Sequence, residues 1–307
     1  MMRNELNYRA LGAAITLLLL AQVAVGQSLE PRRWSHLPVG ANFAGVGYVY
    51  SEADILFDPA LQLEDVSSEV HTTLLSYVRV LDVWGKSGRI DIVVPYSVGR
   101  WEGLLEGEPA STRRSGFNDP RVRFAVNLIG SPAQNMAEFR QYKVNTIVGA
   151  ALEVTVPLGE YDQDKLINLG SNRWIFRPQL GVVHNWSKWA AELTTSAWIY
   201  TDNDEFFSGT TREQDALYAV QGHLIYTFRP GLWTSLSAAY GDGARSTIDG
   251  IEKNDEIGKY IVALSMGIPI NPRHGLKVAY LHSETTRDNG DDYDRLLLAY
   301  SMMWGGN

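Results

Sequence analysis

Apolar and polar residues alternate with a period of two in segment after segment of this chain, and few folds tolerate that pattern repeated so often. From Arg121 to Leu128, Arg121, Arg123, Ala125 and Asn127 face one way, while Val122, Phe124, Val126 and Leu128 face the other. The run from 145 to 156 repeats it: Thr146, Val148, Ala150, Leu152, Val154 and Val156 share one face, Asn145, Gly149, Glu153 and Thr155 the opposite one. Similar runs cover about 42–50, 70–84, 89–99, 173–184, 189–200, 216–228, 232–241, 258–270, 275–284 and 293–304. With the first two they predict about twelve strands, each long enough for a tilted bilayer crossing of roughly 9–11 residues.

The connections sort by length. Long ones (about 51–69, 100–118, 157–172, 201–215, 242–257 and 285–292) alternate with short ones at 85–88, 185–188, 229–231 and 271–275. Only the short-side segment 130–142, around Pro132, is longer. A soluble sandwich has no reason to put its long loops at one end, whereas an up-and-down transmembrane β-barrel does, with long outer loops and short periplasmic turns. The expected fold is therefore all-β: an antiparallel up-and-down transmembrane barrel spanning 41–307.

Composition resolves an apparent conflict. Mean hydropathy is slightly negative, yet the chain carries nine Trp and fifteen Tyr. Strands with one face in lipid and one in a polar lumen average to neutral hydropathy. Trp84, Trp186, Trp189, Trp233 and Trp304 fall beside predicted inner turns, and Trp101, Trp174 and Trp198 near the outer ends. Indole has an apolar body and one N–H donor, so these eight are expected at the two membrane interfaces. The last strand, with Leu296, Leu298, Tyr300, Met302 and Trp304 on one face, has the form of a signal for the barrel-assembly machinery, although Gly305, Gly306 and Asn307 trail behind its final aromatic.

The N-terminus predicts export. Arg3 and Arg9 precede the apolar run 10–21, and Ala24 and Gly26 supply small residues before Gln27. That is a cleavable secretion signal over 1–26, followed by a short periplasmic segment over 27–40. The chain lacks Cys, which excludes disulfides and a lipoprotein anchor, and its net charge of −8 speaks against a nucleic-acid partner. The expected location is the bacterial outer membrane, in contact with its lipid and lipopolysaccharide.

If the apolar faces meet lipid, the opposite faces line the interior. That places Arg121, Arg123, Asn127, Glu153, Arg173, Arg177, Gln179, Glu192, Gln221 and His223 in the lumen, with Lys277 as a further candidate. Arginines and carboxylates in a narrow lumen are expected to pair, because a lone buried charge is expensive. Such a ring either filters what passes or plugs the barrel. The acidic groups Asp202, Asp204, Glu205 and Asp288, Asp291, Asp292 lie in outer loops without EF-hand spacing, so they read as solvated charge and no metal site is expected. Neither His184 with Asn185 and Ser187, nor His282 with Ser283, has the order a hydrolytic triad needs, and no G-x-S-x-G elbow is present. The G-x-G pairs at Gly45 and Gly47 and at Gly241 and Gly243 lack the third glycine and helix of a dinucleotide site. Neither enzymatic activity nor a cofactor is expected.

Several segments resemble a known family: GFNDPRVRFAVNL (116–128), VPLGEYDQDKLINLGSNRWIFRPQLG (156–181), AYGDGARSTIDGIEKND (239–255) and IPINPRHGLKVAY (268–280), with NLGSNRW the most specific piece. They resemble the MetA-pathway of phenol degradation family of outer-membrane transporters. The resemblance implies a passive channel for small hydrophobic or aromatic cargo, and carries over no set of functional residues. A non-transporting structural or adhesive barrel is the alternative expectation, with a lipid-modifying enzyme third.

Overall fold

The computed structural model describes residues 29–56, 63–105, 107–165, 167–288 and 290–306, so the expected secretion signal lies outside the described residues. Twelve long strands form one antiparallel ring. They are β1 (Ala41–Leu56), β2 (Leu63–Val83), β3 (Lys86–Leu105), β4 (Arg121–Ile129), β5 (Thr146–Thr155) and β6 (Ile175–Trp186). The ring continues through β7 (Trp189–Tyr200), β8 (Leu217–Arg229), β9 (Leu232–Gly243), β10 (Ile257–Asn271), β11 (His274–Thr285) and β12 (Gly290–Gly305). Each strand pairs with its neighbours in sequence, and β1 pairs with β12 from Ala41↔Gly305 to Leu56↔Gly290, which closes the barrel.

Alternation sets the radial direction of every side chain. In β9, Ser235 and Ser237 are buried while Leu236 and Tyr240 are exposed; in β10, Ile261, Ala263 and Ser265 point inward, and Val262, Leu264 and Met266 outward. The exposed outer surface is thus apolar and much of the buried interior polar, the inverse of a soluble protein and the arrangement lipid requires.

The turns at the end where β1 begins and β12 ends are tight. Trp84 and Gly85 both have positive φ, 52° and 75°, in the two-residue turn between β2 and β3, one residue earlier than the sequence suggested. The exception is the segment between β4 and β5, which carries the short helix α1 (Met136–Gln141) capped by Asn135 and Glu138. This segment folds under the barrel: Val39 N donates to Gln134 O at 2.8 Å, and Met136 N to Gly306 O at 3.1 Å.

At the opposite end, much of what the sequence suggested as loop is strand. β1 and β2 stay paired from Ile55↔Val66 inward, and β3 runs on to Leu105 against a further strand, Glu108–Phe117. Outward positions there hold Glu52, Asp54 and Glu69, because beyond the bilayer the outer face meets water and needs no apolar residues. The apolar alternation therefore ends before the pairing does. Loops 201–215 and 242–257 build a small four-stranded cap sheet from Asn203–Phe206, Thr210–Gln214, Ser246–Ile248 and Ile251–Glu252, with Phe206 and Ile248 at its core.

Leu264 lies near the middle of β10, is 59% exposed, and sits opposite Leu236 of β9. Leu264→Arg should destabilise the barrel by about 2–4 kcal/mol in urea titrations of protein folded into vesicles. Ala263→Ser, one residue along on the inner face, should cost much less. Equal costs would contradict the assignment of inner and outer faces.

Candidate functional site

The residues leading into β1, which the sequence reading left outside the barrel on the periplasmic side, turn into its interior instead. Trp34 is almost fully buried. Its indole fills a slot made by Gly149 of β5 and Gly181 of β6, which sit directly across from one another. A Cβ at Gly181 would fall 2.1 Å from the indole, and one at Gly149 2.4 Å away. The absence of two side chains on the inner wall thus makes room for one large one. Trp34 Nε1 donates to Thr194 Oγ1 at 2.8 Å, Asn127 Nδ2 donates to the Trp34 carbonyl at 3.3 Å, and the Arg123 guanidinium lies 4.8 Å from the ring centre. This burial is the physical reason the segment is drawn inward: removing a packed Trp side chain costs about 3–5 kcal/mol.

Charges tie the same segment to the wall. Arg33 bridges Glu30 at 2.7 Å and Glu153 of β5 at 2.8 Å, and the other oxygen of Glu153 accepts from Arg177 Nη1 at 3.4 Å. Arg32 N donates to Glu192 Oε2 at 3.1 Å. On the β3–β4 side, Asp91 pairs with Arg89, whose Nε lies 3.2 Å away, and accepts from Arg123 Nη1 at 3.1 Å, while Arg123 Nε donates to Gln179 Oε1 at 2.7 Å. Further toward the terminal end, His36 bonds Ser131 and Gln134 and stacks on Phe139 of α1 with centroids 5.2 Å apart.

Of the ten residues expected in the lumen, Arg123, Asn127, Glu153, Arg173, Arg177, Gln179, Glu192, Gln221 and His223 are buried, and Arg121 lines the interior cavity. They do not form one ring. Arg123, Asn127, Glu153, Arg177, Gln179 and Glu192 gather around the N-terminal segment, His223 bonds Ser237 at 2.8 Å, and Arg173 stands apart near the outer end. Sequence reasoning missed Arg33, Trp34, Asp91 and the buried ion pair Lys259–Asp291. A signal for Trp34 was present: Gly149 and Gly181 are inward positions that an unfilled wall would have no reason to leave bare.

Above the N-terminal segment lies a cavity of about 290 Å³. Leu29 and Glu30 contribute to its wall, as do residues from the outer halves of the strands and from loop 157–172. Its apolar lining includes Ile55, Val70, Trp101, Ile175, Trp198 and Leu217, and its cations are Arg121, Arg173, Arg212, Lys277 and Arg295. A space beside Arg33, Ser35 and Leu37 measures only about 10 Å³, scarcely enough for one water.

Three of the eight tryptophans expected at the membrane interfaces are directed inward. Trp101 and Trp198 are buried against the cavity, and Trp233 packs over Gly267 and beneath Arg32, whose guanidinium lies 5.5 Å from its ring. Trp101 folds over the inner face of Gly99, and the Arg177 guanidinium lies 4.0 Å from the Trp198 ring. Closeness to a strand end was sound information, but alternation decides the face, and these three have inward parity. Trp84, Trp174, Trp186, Trp189 and Trp304 are exposed on the outside.

His184 bonds Thr146 Oγ1 at 2.8 Å. His282 faces outward against Asp294 and Glu284, whereas its neighbour Ser283 is buried on the inner face. Asp202, Asp204, Glu205 and Asp288 are exposed, while Asp291 pairs with Lys259 and Asp292 accepts from Thr285 N at 2.6 Å. Among the described residues, no group of three or more His, Asp or Glu is placed to hold a metal ion.

The glycine slot can be tested directly. Gly149→Ala with Gly181→Ala should expel Trp34 and leave the wall paired, giving larger single-channel conductance in planar bilayers and trypsin cleavage at Arg32 or Arg33. A variant whose conductance and cleavage both match the wild type would show that the slot does not hold the segment.

Comparison with known proteins places this geometry. No curated protein matches the chain. The COG4313 outer membrane channel from Pseudomonas putida F1 superposes with a TM-score of 0.75 at 25% identity, covering 90% of this chain and 100% of that one. The transport unit of the autotransporter AIDA-I from Escherichia coli gives a TM-score of 0.52 at 8% identity, over 95% of this chain and 97% of that one, a likeness of fold alone. The barrel thus places this chain among the outer-membrane proteins. The sequence pattern of the MetA-pathway of phenol degradation family matches residues 51–291, from the outer part of β1 into β12, and the chain belongs to that family.

Proposed function

We propose that this protein is a passive outer-membrane channel for small hydrophobic or aromatic compounds, with no enzymatic role. The observation that carries the reading is the cavity of about 290 Å³ in the outer half of the lumen, walled largely by apolar and aromatic side chains. A cavity of about 150 Å³ admits benzene, so this one accommodates a substituted single ring. Family membership and the likeness to an outer membrane channel support the reading.

In this scheme the secretion signal delivers the chain to the periplasm and the barrel-assembly machinery inserts it, with the start of β1 and the end of β12 on the periplasmic side. The acidic outer loops then lie against lipopolysaccharide and the medium. Cargo enters from the outer end and rests above Leu29 and Glu30. Its onward passage requires the Trp34 segment to move out of its slot, and the concentration gradient alone drives the step.

The filled lower lumen favours one rival, a non-transporting structural or adhesive barrel. Uptake separates the two. Proteoliposomes containing the full chain should take up labelled toluene faster than protein-free vesicles, and expelling Trp34 through the glycine-slot variant should accelerate uptake further. Equal rates in all three preparations would sink the channel and leave the structural barrel.

A further inference from the structure

Most buried cations of the lumen have a carboxylate partner. Arg123 has Asp91, Arg177 has Glu153, and Lys259 has Asp291. Two arginines at the outer end of the cavity differ. Arg173 stands two residues ahead of β6, and Arg212 lies on the Thr210–Gln214 strand of the cap sheet. They are 4% and 2% exposed, and both line the cavity. Neither forms an ion pair with a carboxylate among the described residues. Their Nη2 atoms share a single neutral acceptor, Gln214 Oε1, which lies 3.2 Å from Arg212. The Gln214 amide nitrogen donates to Ala244 O at 2.7 Å, which fixes the oxygen toward the arginines.

The carboxylates of the surrounding loops are already committed. Asp119 accepts from Gly159 N, Ser171 N and Ser171 Oγ at 2.8, 2.7 and 2.5 Å. Asp255 accepts from Ser246 N and Oγ at 2.9 and 2.6 Å. Meanwhile Arg173 Nε and Nη1 and Arg212 Nε are buried donors without a protein acceptor. Ring faces lie close by, Tyr200 at 4.5 Å from the Arg173 guanidinium and Phe206 at 5.4 Å from that of Arg212, while Asp119 and Asp202 act on Arg173, and Asp255 on Arg212, only from beyond ion-pair distance. Buried unpaired charge is strongly unfavourable, and two like charges across one oxygen are worse. An arrangement of this kind persists where an anion completes it, and the planar guanidinium fork matches a carboxylate.

We propose that Arg173, Arg212 and Gln214 form a carboxylate-binding subsite, and that the preferred cargo is an amphipathic organic acid with one aromatic or short apolar body. The acid group lies against the two guanidinium groups, and the body extends along Ile175, Trp198 and Leu217 of the same cavity. This rests on the channel reading for its cargo class and narrows it. It also gives the cap sheet a purpose, since Arg212 reaches the cavity only because loop 201–215 folds into a strand over the mouth.

Binding is measured by calorimetry on the full chain in detergent, with benzoate, its neutral isostere benzamide, and inorganic phosphate as probes. Benzoate should bind at least tenfold more tightly than benzamide or phosphate. Arg173→Gln and Arg212→Gln should each weaken benzoate at least tenfold. Gln214→Glu supplies the two arginines with a carboxylate of their own, so it should abolish benzoate binding while raising the thermal midpoint, a result that loss of folding would not give. Equal binding of benzoate and benzamide, phosphate binding as tightly as benzoate, or Gln214→Glu binding benzoate normally would each overturn the subsite. Toluene uptake by wild-type vesicles is followed in parallel. If toluene enters and benzoate shows no preference, the subsite fails and the channel stands. If benzoate binds through the arginines and nothing enters, the subsite stands and the channel fails.

Discussion

Inside a bilayer no water is available to satisfy a backbone N–H or C=O, so every one on a spanning strand must be paired within the protein. The continuous pairing of β1 with β12 meets that demand by removing the last free edges from the ring. Everything else in this molecule is arranged around the closure. Alternation follows, because a strand paired on both sides can only present its side chains to lipid or to the lumen. The polarity of each face follows in turn: Leu236 and Leu264 outside, Ser235 and Ser265 inside.

Closure also creates a problem. A ring of twelve strands encloses more space than its inward side chains fill, and this chain divides that space into two halves with different solutions. The half toward the start of β1 and the end of β12 is filled by the chain itself, with Trp34 against bare backbone and Arg33 and Glu153 joined in a charged seam. The outer half keeps a chamber, partly apolar and partly cationic, beneath a cap made from two loops. The charges are apportioned accordingly. Around the filled half the cations meet carboxylates, whereas at the chamber's outer end Arg173 and Arg212 meet a neutral amide and two aromatic rings.

Strand positions and the inward set were legible because they rest on local alternation, which any paired strand in lipid must obey. Runs such as 121–128 state their own geometry. Long-range contacts were not legible in that way. Nothing near Trp34 in sequence shows that it packs against Gly149 and Gly181, more than a hundred residues away. The outer strand extensions escaped notice because apolar alternation is imposed by lipid and ends with it, whereas hydrogen bonding continues to Leu56 and Leu105. Position along the chain located Trp101, Trp198 and Trp233 near strand ends, but only their parity gave their faces. Arg212 lay in what looked like loop, and its inward direction depends on a sheet that the sequence pattern does not announce.

The latch beneath the barrel has a consequence in time. It joins three stretches far apart in the chain: Val39 bonds Gln134, His36 stacks on Phe139, and Met136 donates to Gly306. Its last bond therefore cannot form until the final residues of β12 have arrived, and their arrival is what zips β12 onto β1. Because β1 begins immediately after the inward segment, the ring closes around that segment as its floor is fastened. The floor of the lumen is thus complete only when the wall is, because the last strand of the ring also carries the last bond of the latch.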